Sequence, residues 1–149
     1  MGYSIRKIGI HNIEKLLPLG RKASKEGYNF VNRTIREFLS GENDFTGKGE
    51  IIYGIFENDN CIGFCGLNID PYIDEKEIGR LRHLYVDPGN RMMGVGELLV
   101  GKLLEDAMAN FKILRLKSTT SAMLFYDKMG FDRSEGENES HRLILRKGK

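Results

Sequence analysis

Residues 84–97 are LYVDPGNRMMGVGE, and this stretch decides which fold the chain is expected to adopt. Its first three residues, 84–86, are apolar and typical of a strand. Pro88 and Gly89 then end the extended structure. Beyond it, residues 94–110 carry apolar side chains at three- and four-residue spacing, a pattern that predicts an amphipathic helix. Residues 91–96 therefore predict a tight turn that leads from a strand into a helix.

The predicted turn is suited to binding a phosphate group. The N–H groups in the first turn of a helix have no partner within the helix, and the helix dipole adds partial positive charge there. Gly94 and Gly96 let an anion approach the main chain because they lack a Cβ, and Arg91 adds a guanidinium suited to phosphate. The alternative is that the two glycines only make the connection compact.

Two other phosphate-binding motifs do not match this turn. A dinucleotide-binding fingerprint requires a third glycine where this chain has Leu99. A Walker loop requires Gly-Lys-Ser/Thr, whereas Gly94 is followed by Val95. We therefore expect neither kind of nucleotide site.

The rest of the chain predicts strands and helices in a regular order. Apolar and alternating segments predict strands at 3–10, 51–56, 61–69, 77–86 and 113–117, with closing strands from Phe131 onward and at 142–145. Helical spacing predicts further helices after Asn12, at 31–39 and at 122–129, and Pro18 disturbs the middle of the first. The resulting order, β-α-α-β-β-β-α-β-α-β, predicts an α/β fold (a mixed, α+β sheet) with helices on both faces. We expect a single domain over residues 1–149.

The composition limits the classes of partner that we expect. The chain has 23 basic and 21 acidic side chains, a net charge of +2, and this balance favours neither nucleic acid nor a membrane surface. No apolar stretch reaches the roughly 18 residues of a spanning helix, and the N-terminus lacks the apolar segment of a signal peptide. We therefore expect a cytoplasmic protein.

The two cysteines, Cys61 and Cys65, fall in one apolar run. Strand geometry predicts that both side chains lie on the same face of the strand, two pleats apart, where a disulfide is implausible. No second pair of cysteine or histidine ligands stands at a spacing that would bind zinc, so we expect no metal site. We predict two buried thiols.

Two motifs together resemble the GNAT N-acetyltransferase superfamily. The segments LYVDP at 84–88 and RMMGVG at 91–96 are similar to that family's Arg/Gln-x-x-Gly-x-Gly/Ala turn and the strand before it. The segment AMLFYDKMGF at 122–131 is similar to the family's A-x-x-F-Y-x-K-x-G-F helix. The resemblance implies a GNAT-like acyl-CoA N-acyltransferase fold, with a central, mostly antiparallel sheet flanked by helices. It also implies an acetyl-CoA-dependent N-acetyltransferase.

The resemblance places acetyl-CoA, as co-substrate, at the turn and along the strand before it. Main-chain amides of about Met93 to Glu97 would bind the pyrophosphate, and the strand would pair with the pantetheine arm. The implied cofactor-binding residues are Leu84, Tyr85, Val86, Arg91, Met92, Met93, Gly94, Val95, Gly96, Glu97, Thr119 and Tyr126. The apolar side chains at 81, 84 and 86 break strict alternation, which predicts a bulge in this strand.

The resemblance also implies catalytic roles. The N–H near Leu84 would stabilise the oxyanion formed when an amine attacks the thioester, and Tyr126 would protonate the leaving thiolate. Many relatives carry a glutamate at the position of Arg80, so the general base stays open here. Glu75, Glu77, His83 and a water relay are the candidates. The family transfers the acetyl group directly in a ternary complex, so an acyl-cysteine intermediate is not expected.

The acceptor region implied by the fold comprises residues 23–36 and 134–140. Glu135, Glu137 and Glu139 form either a solvated turn or an acidic rim that attracts a cationic amine. Tyr28 and Phe30 form either an apolar wall of the acceptor site or part of the core.

The acceptor is expected to be a primary amine of a small molecule or peptide, and the protein a monomer or homodimer. Two other functions stay open. One is a non-catalytic acyl-CoA-binding regulatory or sensor domain on the same fold, and the other is an interaction domain that has lost the cofactor.

Overall fold

A computed structural model describes residues 2–145. The strands are β1 (Tyr3–Lys7), β2 (Ile51–Glu57), β3 (Asn60–Ile69), β4 (Ile78–Val86), β5 (Ile113–Leu116), β6 (Asp132–Gly136) and β7 (Glu139–Ile144). The helices are α1 (Leu17–Lys25), α2 (Phe30–Ser40), α3 (Val95–Ala107) and α4 (Met123–Lys128), with short 3₁₀ turns at Ile13–Leu16, Pro88–Asn90 and Thr120–Ala122. None of the helices in this part of the chain has both the length and the apolar character needed to cross a bilayer.

The strands of residues 2–145 form one sheet in the order β1-β2-β3-β4-β5-β7-β6. β4 and β5 run parallel, and the other neighbouring strands are antiparallel. The predicted mixed, mostly antiparallel sheet is therefore confirmed. β6 and β7 are the last two strands of the described residues, as the segments near residues 131 and 142 predicted, although the predicted order has a single final strand. A tight turn with Asn138 at a φ of +62° joins them.

Helices cover both faces of the sheet, because each buries one apolar stripe. On one face, α3 inserts Leu99 and Leu103 among strand residues that include Leu67 and Leu114. On the other face, α1 and α2 pack against a cluster of strand residues that includes Phe64. The two buried clusters enclose the central strands and fix their positions relative to the helices.

The first helical segment differs from its prediction in one respect. Pro18 does not disturb the middle of a helix, because the segment divides at that point into a 3₁₀ turn, Ile13–Leu16, and helix α1. Pro18 occupies the first turn of α1, where a missing N–H has no helical hydrogen bond to lose.

The prediction that Cys61 and Cys65 share one face of β3 is wrong. Phe56 pairs with Cys61 and Ile55 pairs with Gly63, so Ile62 is an inserted residue that reverses the alternation of side chains. Cys61 therefore packs with the α1–α2 side of the core and Cys65 with the α3 side. Both thiols are free and buried, as predicted, and burial raises their pKa values to about 11 and about 12 respectively.

Candidate active site

The two parallel strands at the centre of the sheet separate after three residues. β4 pairs with β5 only through Ile78–Arg80, whereas it pairs with β3 as far as Val86. From Leu81 to Val86, no strand of residues 2–145 pairs with the β5-facing edge of β4. A cavity of about 700 Å³ occupies the gap.

A bulge in β4 helps to open this gap. Tyr85 pairs with Phe64 and Arg82 pairs with Gly66, so His83 and Leu84 together oppose Cys65 alone. His83 takes a left-handed φ of +66°, which a non-glycine residue adopts only where its surroundings compensate the strain. The insertion predicted from the broken apolar alternation is confirmed. It turns the second half of β4 away from β5, because a bulge bends and twists the strand that contains it.

The cavity brings together most of the residues that the sequence predicted for cofactor binding. The predicted residues that line it are Leu84, Tyr85, Val86, Arg91, Met92, Gly94, Val95, Gly96, Glu97, Thr119 and Tyr126. Met93 is the exception, since it does not line the cavity, and it is 60% exposed. The motif turn, the bulged strand and the α4 helix therefore meet around one space.

The first turn of α3 faces this space. The φ of Gly94 is +78°, a left-handed conformation that glycine adopts without strain, and Gly94 stands directly before the helix. The N–H of Leu98 donates to the carbonyl of Gly94 over 3.1 Å. The N–H groups of Val95, Gly96 and Glu97 precede that bond, so helix geometry leaves them without a helical partner. An anion in the cavity can accept hydrogen bonds from them.

Arg91 is engaged by a residue that the sequence analysis did not single out. Its guanidinium donates to both carboxylate oxygens of Glu26, over 2.8 and 2.7 Å, and its Nε donates to the carbonyl of Val86 over 3.0 Å. The Tyr85 hydroxyl donates to the same carboxylate. Hydrogen bonds from Arg91 and Tyr85 lower the pKa of Glu26. The Arg91 guanidinium is thus bound to the carboxylate at the end of α1.

Tyr126 presents a buried phenol to the cavity. Its ring packs edge-on against Phe125 and Phe131, with centroids 5.1 and 5.8 Å away, and the residue is 7% exposed. Its hydroxyl has no hydrogen-bond partner within residues 2–145. Burial raises the pKa of Tyr126 far above the usual value, with a smaller contribution from Cys65. The phenol therefore carries its proton throughout the neutral range.

Of the three side chains considered as a general base, the structure places one at the cavity. His83 lines it, whereas Glu75 and Glu77 lie before the start of β4 and do not line it. Glu75 pairs instead with Lys112, over 2.6 Å. Burial, reinforced by the charges of Arg82, Arg33 and Arg80, lowers the pKa of His83 to about 3. His83 is therefore neutral, and its buried Nε2 has no hydrogen-bond partner within the described chain.

Arg80, at the position for which the resemblance implied a glutamate in many relatives, takes part in a buried ion-pair network. Arg80 contacts Asp70 over 3.4 Å, and Arg115 contacts the same carboxylate oxygen over 2.9 Å. Arg115 also pairs with Glu139, and all four side chains are buried. Arg80 is thus neutralised by Asp70 and cannot act as a base.

The acidic run in the β6–β7 hairpin does not form a continuous rim. Glu139 is buried and pairs with Arg115 and Arg142, so it belongs neither to a solvated turn nor to an acidic rim, and both interpretations are wrong for this residue. Glu135 and Glu137 are exposed and do not line the cavity. Tyr28 and Phe30 do line it, in agreement with an apolar wall.

The ion pairs of Glu139 predict a specific sensitivity to acid. Burial opposes its charge, but hydrogen bonds from Arg142 and Arg115 outweigh this and lower the pKa of Glu139 to about 2. Because the folded pKa lies below the unfolded value of about 4.3, the stabilisation is complete above that value and is lost as the pH falls towards 2. We expect the free energy of unfolding to fall by about 3 kcal/mol over this window through Glu139. Urea unfolding between pH 6 and pH 1.5, a range that passes through the folded pKa, measures it.

The matched variants are Glu139→Gln and Glu137→Gln, which alter neighbouring carboxylates of one hairpin. Glu139→Gln should flatten the acid limb of the stability profile, whereas Glu137→Gln should keep the slope of the parent protein. Equal slopes for Glu139→Gln and the parent would show that this network does not govern acid stability.

Comparison with known proteins shows which family and which solved structures this chain is similar to. The model of the acetyltransferase (GNAT) family matches residues 20–131. A protein from Exiguobacterium sp. 255-15 is 29% identical, with a TM-score of 0.87 over 97% of this chain and 94% of that chain. A GNAT-family acetyltransferase from Staphylococcus aureus Mu50 is 18% identical, with a TM-score of 0.75 over 97% and 100% of the two chains. PaiA N-acetyltransferase from Thermoplasma acidophilum, in complex with coenzyme A, is 21% identical, with a TM-score of 0.71 over 95% and 97%.

Proposed function

This chain belongs to the acetyltransferase (GNAT) family, and we propose that it is an acetyl-CoA-dependent N-acetyltransferase. In this proposal a primary amine of a small molecule or peptide attacks the thioester directly, within a ternary complex. The observation that supports it most is the convergence on one cavity of three groups: the unpaired edge of β4, the N-terminus of α3 and the buried Tyr126.

The residues around the cavity fit the parts of acetyl-CoA. The free N–H groups of Val95–Glu97 suit the pyrophosphate, because they combine hydrogen-bond donors with the positive end of a helix dipole. The unpaired edge of β4 from Leu81 to Val86 suits the amide-containing pantetheine arm, which can hydrogen-bond along it as a strand does. Coenzyme A is bound in the structure of the T. acidophilum PaiA relative, which supports this assignment.

We assign two groups of the protein to steps of the acetyl transfer. The main-chain N–H of Leu84, next to the bulge, would donate to the oxyanion that forms as nitrogen attacks the thioester carbon. The C–S bond then breaks, and Tyr126 would donate its proton to the departing thiolate. The buried phenol keeps its proton across the neutral range and is therefore present as a donor when negative charge develops on the sulfur.

Removal of the proton from the attacking amine is assigned to water rather than to a carboxylate. His83 has a pKa of about 3, so its ring does not take up a second proton at neutral pH. It can still accept or donate a hydrogen bond as a neutral ring, through which it would orient the amine. We therefore propose that the acceptor binds as the free amine or loses its proton through solvent, with His83 as an orienting contact.

The test is release of free CoA thiol from acetyl-CoA in the presence of a panel of primary amines. We expect acetyl-CoA to bind in a calorimetric titration and at least one class of amine to release CoA well above the rate without amine. Binding without release from any amine would favour the alternative, a non-catalytic acyl-CoA sensor or regulatory domain. The observation that supports this alternative is Arg80. It is paired with Asp70 and stands where the resemblance implies a glutamate in many relatives. Absence of binding would contradict both.

A further inference from the structure

We infer that the acceptor is a primary amine that carries an aromatic ring on a short chain and no second ammonium group, and that Tyr28 and Phe30 bind this ring. The inference rests on the proposed transferase function and names the class of its acceptor. Its basis is the set of aromatic rings that lines one side of the cavity, together with the positions of the acidic side chains around it.

The cavity is lined from both faces of the sheet, and the two linings differ. On the α3 face it is bounded by Val95 and Tyr126, which belong to the buried cluster under α3. On the α1–α2 face it is bounded by Tyr85, which belongs to the other buried cluster, and by Phe30, which packs against that cluster. The groups proposed to bind the pyrophosphate and to protonate the thiolate lie on the α3 face. The acceptor is therefore assigned to the α1–α2 face.

Four rings form the lining on the α1–α2 face, and we call Tyr28, Phe30, His83 and Tyr85 the aromatic wall. Phe30 lies at its centre, with its ring centroid 5.8 Å from that of Tyr28 and 6.0 Å from those of both His83 and Tyr85. All four residues line the cavity. His83 directly precedes Leu84, whose N–H is the proposed oxyanion donor. A molecule held against the aromatic wall is therefore next to the proposed position of the thioester.

Contacts behind the aromatic wall hold it in place. The N–H of Tyr28 donates to the carbonyl of Ala23 over 2.9 Å, which ties this residue to the end of α1. The Tyr85 hydroxyl donates to Glu26, so the polar end of this side chain has its partner within the protein. Tyr28 is 38% exposed, which leaves part of its ring free to contact a ligand. A preformed apolar surface of this kind binds a rigid ring at little cost in ordering the site.

The acidic side chains near the cavity are already paired. Within residues 2–145, Glu97 is the single acidic residue that lines the cavity, and it lies in the first turn of α3, paired with Lys128 over 2.9 Å. Glu26, behind Tyr85, is bound through both carboxylate oxygens to Arg91. A second ammonium group on the acceptor would therefore lose hydration at the aromatic wall without gaining an ion pair from the described residues.

Four further carboxylates line a separate groove. They belong to Glu37, Glu42, Asp44 and Glu50, and this groove shares no lining residue with the cavity. Glu50 accepts hydrogen bonds from the main chain of Gly47 and Ile69 and is occupied by them. These charges therefore do not form part of the lining that an acceptor at the aromatic wall would contact.

The ring faces of the aromatic wall do not form an open box for an ammonium group. One face of Phe30 is covered by His83, whose plane lies at 17° to it, and the Arg91 guanidinium lies over the Tyr85 ring, 5.3 Å from its centroid. Cations bind to ring faces, whereas ring edges carry partial positive charge. Tyr28 and Tyr85 are inclined to Phe30 by 58° and 69°, the tilted geometry in which aromatic rings pack together. The surface therefore favours an aromatic ring over a cation.

The first experiment compares four primary amines in the CoA-release assay. Phenethylamine is compared with ethylamine, which lacks the ring, and with spermidine, which carries further ammonium groups. We expect kcat/KM to be at least about 10-fold higher for phenethylamine than for either, because burial of a phenyl ring contributes about that factor. 2-Cyclohexylethylamine, whose ring is not aromatic, should react about 3-fold more slowly than phenethylamine. Equal or faster turnover of any of the other three amines would overturn the inference.

Variants then assign the preference to the aromatic wall. Phe30→Leu keeps an apolar side chain at the start of α2, and Tyr28→Ala removes a partly exposed ring, so both variants should fold. Each should lower the preference for phenethylamine over ethylamine about 5-fold, mainly through KM. Tyr72→Ala is the matched control, since Tyr72 is 54% exposed, lies outside the cavity and should leave the preference unchanged. An unchanged preference in both Phe30→Leu and Tyr28→Ala would contradict the assignment.

A binding measurement separates this inference from the proposed function. N-acetylphenethylamine and N-ethylacetamide are the products that correspond to phenethylamine and ethylamine, and NMR titration follows their binding to the CoA-bound protein. We expect N-acetylphenethylamine to bind at least about 10-fold more tightly, and Tyr28→Ala to reduce the difference about 5-fold. Equal binding of the two products overturns this inference alone. A protein that does not bind acetyl-CoA, or that releases no CoA with any amine, contradicts the transferase proposal itself.

Discussion

Replacement of Tyr126 by phenylalanine should lower kcat about 100-fold while the affinity for acetyl-CoA stays within about two-fold of the parent value. The phenol is proposed to act only when the C–S bond breaks, so its removal affects the transition state and not the bound cofactor. The substitution keeps the edge-on packing against Phe125 and Phe131 and deletes a hydroxyl with no hydrogen-bond partner within residues 2–145. The fold should therefore be unaffected.

The pH dependence sharpens this test. Because the pKa of Tyr126 is raised far above its usual value, the parent enzyme should show no loss of the acid between pH 6 and pH 9. The control is Tyr53→Phe, which removes a tyrosine hydroxyl bonded to Asp106, outside the cavity, and should leave kcat unchanged. Equal kcat values for Tyr126→Phe and the parent protein across this pH range would exclude Tyr126 as the general acid.

Replacement of Asp70 by asparagine should destabilise the protein by about 3–5 kcal/mol. One carboxylate oxygen of Asp70 contacts both Arg80 and Arg115, and all three side chains are buried. The variant keeps the shape of the side chain but removes the carboxylate that pairs with buried Arg80 and is one of the two that pair with buried Arg115. A buried charge without its partner costs several kcal/mol, so unfolding in urea should shift to a clearly lower midpoint.

The matched control for Asp70 is Asp59, which also bridges two basic side chains. Asp59 contacts Arg6 and Lys15, but its side chain is 75% exposed, so water replaces the lost interactions. Asp59→Asn should therefore change the midpoint much less than Asp70→Asn. Similar midpoints for the two variants would show that the buried network contributes no more than a surface pair.

The parts of the site that could be predicted from sequence are those encoded by local patterns. Residues 91–96 lie next to a strongly periodic helix, and residues 122–131 form a compact motif, so the sequence alone predicts both. The bulge in β4 was also visible, because Leu81 and Leu84 break the alternation of a strand. In each case the signal spans only a few consecutive residues.

The parts that could not be predicted depend on contacts between distant segments. Glu26 binds Arg91 across 65 positions of sequence, and a glutamate at the end of a helix gives no sign of its partner. In the sequence, nothing distinguishes Glu139 from Glu135 and Glu137. Only the folded sheet places it against Arg115. The insertion at Ile62 is hidden within a run of uniformly apolar residues, so strict alternation gave the wrong face for Cys61 relative to Cys65.

The open edge of β4 has a consequence for the solubility of the protein. Unpaired strand edges are normally a hazard, because a second chain can add to them and begin aggregation. Here the unpaired edge lies inside the sheet, in a gap that closes where β4 meets β5 at Ile78–Arg80. A slender ligand can enter such a gap. An edge strand of another molecule cannot, because it is attached to the rest of its own sheet. The protein can thus keep a permanent row of free backbone groups for its ligand without offering them to other copies of itself.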